Sequence, residues 1–301
     1  METTSIISNR SSSYSYALGY TKAEHGRLMR QAELIAPVTE RLFREAGIGA
    51  GHRVLDLGSG LGDVSMLVAR LVGPSGEVVG IERDGTSIEQ ARGRVVAAGF
   101  RNVRFIQTDV KQIVSDKPFD AAVGRFILMF LPDPISVLRS VAQLIRPGGV
   151  LAFQEPSWIP MLALGDRLPL WSCVLRWIHE TLLRSGANPE MGLALHPIFQ
   201  EVGLPAPKMH LEIPLGSKMD FLCVIADLVR SLQPLAEQHG VPLEELGKLE
   251  TLHDRICAEI TAANTIVSIV PLLGAWSHKP INTSNSAKVE QRKSTQNKSK
   301  K

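Results

Sequence analysis

The chain has 301 residues, 44% hydrophobic and 21% charged, the balance of a globular protein with one large domain or a core and a cap. Its net charge of +3 is concentrated in the tail, where residues 281–301 hold six Lys or Arg and one acid; the remainder is slightly acidic, which argues against a nucleic-acid partner. Cys173, Cys223 and Cys257 are far apart and lack a CxxC spacing, so a disulfide framework and a zinc site are disfavoured and a reducing, cytoplasmic compartment is expected.

Residues 1–14 are rich in Ser, Thr and Asn and read as a disordered N-terminus without the apolar run of a secretion signal. Nowhere does an apolar run approach the ~20 residues of a membrane span. Leu28, Ala32, Ile35, Val38, Leu42 and Ala46 recur at helical steps, which predicts an N-terminal helical cover within 15–50, with Pro37 dividing it into two helices. Strands and helices then alternate: strands at 53–57, 77–81, 102–107, 119–124 and 150–154, helices at 63–72, 85–98 and 134–145. Continuous apolar strands between amphipathic helices imply a parallel sheet covered on both faces.

Arg146-Pro147-Gly148-Gly149 reads as a tight turn before the fifth strand. After the α/β core at 51–156, residues 157–206 form an expected helical cap rich in large side chains. Residues 207–280 return strands, at 208–213 and 265–276, with helices at 218–238 and 242–262 between them. Pro271 predicts an edge or bulged strand for the last segment. Residues 281–301 read as a disordered basic tail.

Four signals fall at the ends of successive strands. Val54-Leu55-Asp56-Leu57-Gly58-Ser59-Gly60-Leu61-Gly62-Asp63 is a strand running into a glycine loop and then a helix. Such a unit brings unshielded backbone N–H groups close to a ligand, because glycines permit close approach. Glu82 ends the second strand, Asp109 ends the third and Arg125 ends the fourth. In an open α/β sheet, ligands bind outside the carboxyl ends of the strands. A carboxylate after the second strand accepts from ribose hydroxyls, and one after the third accepts from an adenine amino group. The pattern suits an adenosine-containing ligand.

With these motifs, namely VLDLGSGLGDVS (54–65), VVGIERD (78–84), FIQTDV (105–110), FDAAVGRFILMFLPDP (119–134) and LIRPGGVLAFQEP (144–156), the chain resembles the class I S-adenosylmethionine-dependent methyltransferases. The flanking segments 16–34 and 191–204 look like the small-molecule branch, which includes quinone and natural-product enzymes. The resemblance implies a doubly wound, Rossmann-like, seven-stranded and mostly parallel sheet with a helical cap. It also implies S-adenosyl-L-methionine as cofactor, with S-adenosyl-L-homocysteine as product. Asp56 would support the loop and the amino-acid end of the cofactor, Gly58, Ser59 and Gly60 would pack on its methionyl part, and Gly62 would permit the turn into the helix. Glu82 would bind the ribose, Arg83 flank the adenine, and Asp109 and Val110 hold the adenine edge. Arg125 and Phe126 would lie under the methionine arm, and Tyr20 and Gln31 would contact the cofactor from the N-terminal helix.

A dinucleotide-binding domain would want G-x-G-x-x-G, but Asp63 stands at the third glycine position. The expected activity is methyl transfer to O, C or N of an apolar small molecule. The alternative is a methyltransferase-like cyclase or isomerase that holds the same cofactor without consuming it. A general base is needed only for a protonated acceptor; the candidates are His179, His196, Glu155 and His25, with Glu155 alternatively bonding backbone N–H groups. Trp158, Met161, Trp171 and Trp177 are the expected acceptor pocket, with His25 beside it. The helices at 218–262 either complete a lid or form a homodimer contact. No metal-binding constellation is visible in the sequence.

Overall fold

The computed structural model describes residues 21–163, 168–216 and 219–281; the expectations for residues 1–14, Tyr20 and 282–301 lie outside them. The first helix, α1 (Lys22–Glu45), starts where Thr21 Oγ1 accepts from the Glu24 N–H at 3.1 Å, a side-chain cap for an otherwise orphaned donor. Pro37 does not divide it: α1 is continuous. The missing N–H forfeits one backbone bond, while packing of Ile35, Leu42 and Phe43 holds both halves in place.

Seven strands form the main sheet in the order β3-β2-β1-β4-β5-β9-β6. They are β1 (Arg53–Leu57), β2 (Glu77–Glu82), β3 (Val103–Gln107), β4 (Phe119–Arg125), β5 (Ile145–Pro156), β6 (Lys208–Glu212) and β9 (Leu272–His278). The first five run parallel, and β9 runs antiparallel to both β5 and β6. A separate ribbon pairs β7 (Leu215–Gly216) with β8 (Val267–Ser268).

Alternation along the strands feeds two cores. Leu55, Leu57, Val79 and Ile81 face one, under α4 (Pro134–Leu144), α6 (Pro169–Arg184) and α7 (Met191–Glu201). Val54, Val78, Ala121 and Val123 face the other, under α2 (Asp63–Val72) and the end of α1. Between β2 and β3, α3 (Gly85–Ala97) packs Ile88, Ala91 and Val95 against Phe105. Both faces of the sheet are thus covered by helices, as a parallel sheet requires.

Three expectations are corrected. The Arg146–Gly149 turn lies inside β5 as an irregularity: Phe119 pairs with Ile145 and Ala121 with Val150, so these four residues stand opposite Asp120 alone. The last apolar segment is not an edge. Pro271 precedes β9, where its missing N–H breaks no ladder bond, and β9 sits between β5 and β6. The stretch 242–262 is not one helix either. Two 3-10 turns, Glu244–Leu246 and Leu249–Thr251, lead into α9 (Leu252–Ala262). The remaining helices are α5 (Ile159–Ala163) and α8 (Met219–Gln238), and α8 packs against α1, α6 and α9. Among the described residues no helix is long and apolar enough to cross a membrane.

Candidate active site

Strand order reverses between β1 and β4, which leaves a crevice at their carboxyl ends. A cavity of about 500 Å³ opens there, between the loops after β1, β2, β3 and β4 and the first half of α1. That volume lies in the ordinary range for small-molecule sites, roughly 300–1,000 Å³.

The floor is the glycine loop. Gly58, Gly60 and Gly62 have φ of 63°, 49° and 81°, the left-handed region that side chains disfavour. They differ in what surrounds them. A Cβ at Gly58 would lie 2.5 Å from Ile127 Cδ1, and one at Gly62 would lie 3.1 Å from Phe105 Cζ. At Gly60 nothing lies within 4 Å, and the residue lines the cavity. Gly62 does not line it; it caps the N-terminus of α2. Ser59 lines the cavity, is buried, and its Oγ has no hydrogen-bond partner among the described residues.

Parallel pairing of Leu57 with Ile81 puts the end of β2 beside this loop. Glu82 Oε2 accepts from Gly60 N at 3.1 Å, and Oε1 accepts from Arg83 N at 2.8 Å and Asp84 N at 3.0 Å. These bonds fix the carboxylate at the cavity wall, with acceptor capacity to spare. Thr108 N donates to the Glu82 backbone oxygen at 3.0 Å, which brings the β3 loop alongside. Arg83, Asp109 and Val110 line the cavity there, and Asp109 Oδ1 accepts from Lys111 N at 2.8 Å.

Arg125, half-buried at the end of β4, lines the opposite wall with Phe126. Its Nη1 donates to Thr39 Oγ1 at 3.0 Å, and Thr39 Oγ1 donates to Gln154 Oε1 at 2.6 Å. Burial pulls the Arg125 pKa below its ordinary value, against the pull of Asp63 and Asp56. Phe126 has φ of 54°, a costly conformation for a bulky residue and one that clusters at functional sites. From α1, His25, Leu28, Gln31 and Ala32 project into the cavity at helical steps.

Asp56 lies behind the loop rather than on the cavity. It is 1% exposed, and Oδ2 accepts from Ser65 Oγ at 2.5 Å. Burial pushes its pKa up to about 7, against the Ser65 hydrogen bond and Arg125. It ties β1 to α2 and supports the loop from beneath.

Of the four candidates for a general base, His25 lines the cavity, whereas His179, His196 and Glu155 lie away from it. Glu155 is fully buried and accepts from the N–H groups of Ile127 at 3.0 Å, Leu128 at 2.9 Å and Met129 at 3.3 Å. It clamps the segment after β4, while burial raises its pKa to about 7. His179 Nε2 faces Glu190 Oε1 at 3.5 Å, and Glu190 also holds Ser157 Oγ at 2.5 Å and Trp158 N at 2.9 Å. His196 is exposed in mid-α7. The expected aromatic pocket also lies away from this cavity: Trp158, Met161, Trp171 and Trp177 are buried in the hydrophobic core, α6 with Trp171 and Trp177 packs against α5, α8 and α9, and Trp177 Nε1 donates to Pro242 O at 2.9 Å. Helical spacing shows an apolar stripe but not whether sheet or ligand covers it.

Leu28, Thr108, Lys111, Ile127, Phe130 and Leu131 also line the cavity and were not anticipated. Proximity in sequence was the available signal. Leu28 lies on the His25–Gln31 face, Thr108 and Lys111 flank Asp109–Val110, and Ile127 follows Phe126.

The residues fit an adenosyl sulfonium. Gly60 leaves an open cradle, Ser59 Oγ is buried and unmet, carboxylates end β2 and β3, and a guanidinium ends β4. A pyrophosphate would instead meet Asp63 and Glu82, both on the loop wall.

Comparison with known proteins agrees. Residues 48–201 match the methyltransferase domain family. The chain is 35% identical over 121 residues to the ubiquinone/menaquinone biosynthesis C-methyltransferase UbiE of Coxiella burnetii, covering 38% of this chain and 48% of that protein. To the same enzyme of Azotobacter vinelandii it is 36% identical over 117 residues, 37% of this chain and 46% of that one. The chain thus spans about half the length of these curated relatives. Its fold resembles the [4+2]-cyclase SpnF, with a TM-score of 0.52 at 19% identity over 82% of each chain. It also resembles the YcgJ protein of Bacillus subtilis, with a TM-score of 0.51 at 16% identity over 80% of this chain and 97% of that one. On the matched domain and the site it builds, the chain belongs to the class I S-adenosylmethionine-dependent methyltransferases.

Proposed function

We propose that this protein transfers the methyl group of S-adenosylmethionine to an apolar small-molecule acceptor by in-line displacement. The observation that carries this is a single cavity that joins the polar set for the cofactor to an apolar panel, Phe126, Ile127, Phe130 and Leu131, under α1. Glu82 holds the ribose hydroxyls, Asp109 and Val110 the adenine edge with Arg83 flanking it, and Ser59, Gly60, Arg125 and Gln31 the methionyl arm. The bound sulfonium supplies an activated methyl. The chain's own task is to orient the acceptor behind it and exclude water, a contribution that counts for much of the acceleration in such reactions. The names of the matched UbiE relatives support a ring-bearing acceptor. Cysteine usage supports action in the cytoplasm.

The test is incubation of purified protein with methyl-labelled S-adenosylmethionine and a small-molecule extract, read by mass spectrometry. Label in one compound with matching S-adenosylhomocysteine is the expected result. A compound rearranged without label, in a cofactor-dependent way, would overturn methyl transfer in favour of a cyclase.

A further inference from the structure

His25 is 3% exposed, it lines the cavity, and neither ring nitrogen has a hydrogen-bond partner among the described residues. A neutral imidazole carries one donor and one acceptor. Leaving both unmet under burial costs as much as losing two hydrogen bonds, and because His25 lines the cavity a ligand there would meet them. The neighbouring face of α1 is satisfied within itself. Glu24 accepts from Arg27 Nε at 2.8 Å and Nη2 at 2.6 Å, and Arg27 Nη1 donates to Gln31 Oε1.

The carboxylates on the cavity wall each already hold donors of the chain. Glu82 holds three backbone N–H groups, Asp63 Oδ1 holds Arg94 at 2.6 Å, and Asp109 Oδ1 holds the Lys111 N–H. Among the described residues two buried wall groups have no hydrogen-bond partner, Ser59 Oγ and His25; Ser59 belongs to the loop assigned above to the methionyl arm, which leaves His25 to meet an acceptor's own hydrogen. The apolar panel of Phe126, Ile127, Phe130 and Leu131 is suited to a flat ring.

Resting on the methyl-transfer reading above, we infer that the acceptor carries an acidic hydroxyl, a phenol or an enol, which donates to His25, and that His25 takes this proton during transfer. The O–H bond breaks and its proton moves to the accepting ring nitrogen. The electron pair released forms the new bond to the methyl carbon, from oxygen or from the conjugated ring carbon. The sulfur–methyl bond breaks with its pair left on sulfur, giving the thioether. The positive charge of the sulfonium ends on the imidazolium. For attack from carbon, the ring ketone regains its hydroxyl by passing the carbon-bound proton to water and taking one back at oxygen.

The test uses the full chain with ring-¹⁵N histidine, saturated with S-adenosylhomocysteine, and two probes, 2-naphthol and 2-methoxynaphthalene. They share both rings, and only the first has a hydroxyl to donate. The His25 signal is identified by its loss in His25→Asn. The expected result is that 2-naphthol shifts the His25 ring nitrogens and binds about tenfold more tightly than its methyl ether, the worth of one hydrogen bond to a buried group. In His25→Asn the two probes bind alike, while affinity for S-adenosylhomocysteine is unchanged. Equal affinities in the wild type, no shift at His25, or no binding of 2-naphthol would overturn the inference. Failure of the wild type to bind S-adenosylhomocysteine is a separate result and removes the methyl-transfer reading itself. If His25→Asn does not fold, the wild-type affinity ratio decides, with His25→Gln as the second variant.

Discussion

Gly58 and Gly60 stand two residues apart in one loop, both at positive φ, yet alanine should act differently at each. Both substitutions place a side chain at positive φ, 63° and 49°, at roughly 1–2 kcal/mol. At Gly58 the new methyl would also sit 2.5 Å from Ile127 Cδ1, 2.8 Å from Cγ1 and 3.2 Å from Cβ. The Cδ1 methyl can swing away, but Cβ cannot, and overpacking of this kind adds roughly 1–3 kcal/mol. Gly58→Ala is therefore expected to lose roughly 2–5 kcal/mol of stability. At Gly60 no atom lies within 4 Å of the new methyl, so stability falls only by the backbone contribution. The methyl instead occupies ligand space, and affinity for S-adenosylhomocysteine should fall about tenfold, near 1.4 kcal/mol. Urea unfolding and titration calorimetry on both variants separate the two effects. A Gly60→Ala protein that binds as the wild type does would refute the loop as the ligand's cradle. A Gly58→Ala protein of unchanged stability would refute the packing argument.

Other substitutions test the remaining contacts. Glu82→Gln puts an NH2 among three N–H donors and removes a charged acceptor, so adenosine and S-adenosylhomocysteine should both bind roughly 1.5–3 kcal/mol more weakly by calorimetry; unchanged adenosine affinity would sink the ribose assignment. Arg125→Met should weaken S-adenosylhomocysteine by a similar amount but leave adenosine, which lacks the amino-acid arm, unaffected; equal losses for both would place Arg125 elsewhere in the site. Glu24→Ala leaves the buried Arg27 guanidinium without its carboxylate and should lower unfolding free energy by roughly 3–5 kcal/mol, measurable by urea melts. Asp56 has a folded pKa of about 7, raised by burial above its ordinary value of 3.8. The folded state therefore keeps a proton that the unfolded chain has lost, and this group's contribution to stability falls as pH rises from about 4 to about 7. Asp56→Asn removes that contribution, so its stability should decline less steeply than the wild type's across this window; parallel slopes would show that Asp56 is not the group titrating.

Local order set the limit of what could be read from the chain alone. Val54–Asp63, Glu82, Asp109 and Arg125 were legible because a parallel sheet sends every strand end to one edge, so spacing along the chain becomes proximity in space. The strands from β1 to β4 and the helices between them follow from hydrophobic periodicity, which needs no knowledge of neighbours. Long-range pairing decided the rest. The place of β9 between β5 and β6 depends on which strand is still unpaired when the chain returns, and Pro271 next to it says nothing about that. Trp158, Met161, Trp171 and Trp177 carry the side chains of a ligand pocket, but the protein's own hydrophobic core takes their apolar area first. Glu155 has the residue type and strand-end position of a base, yet three backbone N–H groups 26–28 residues away claim its oxygens. His25 became informative only once the tertiary structure buried it beside a cavity with nothing to bond. Composition, periodicity and motif spacing thus determined the fold class and which strand ends meet at the crevice. Only the packed structure decided which face of each helix meets the sheet and which meets the ligand, because that depends on what the rest of the chain has already covered.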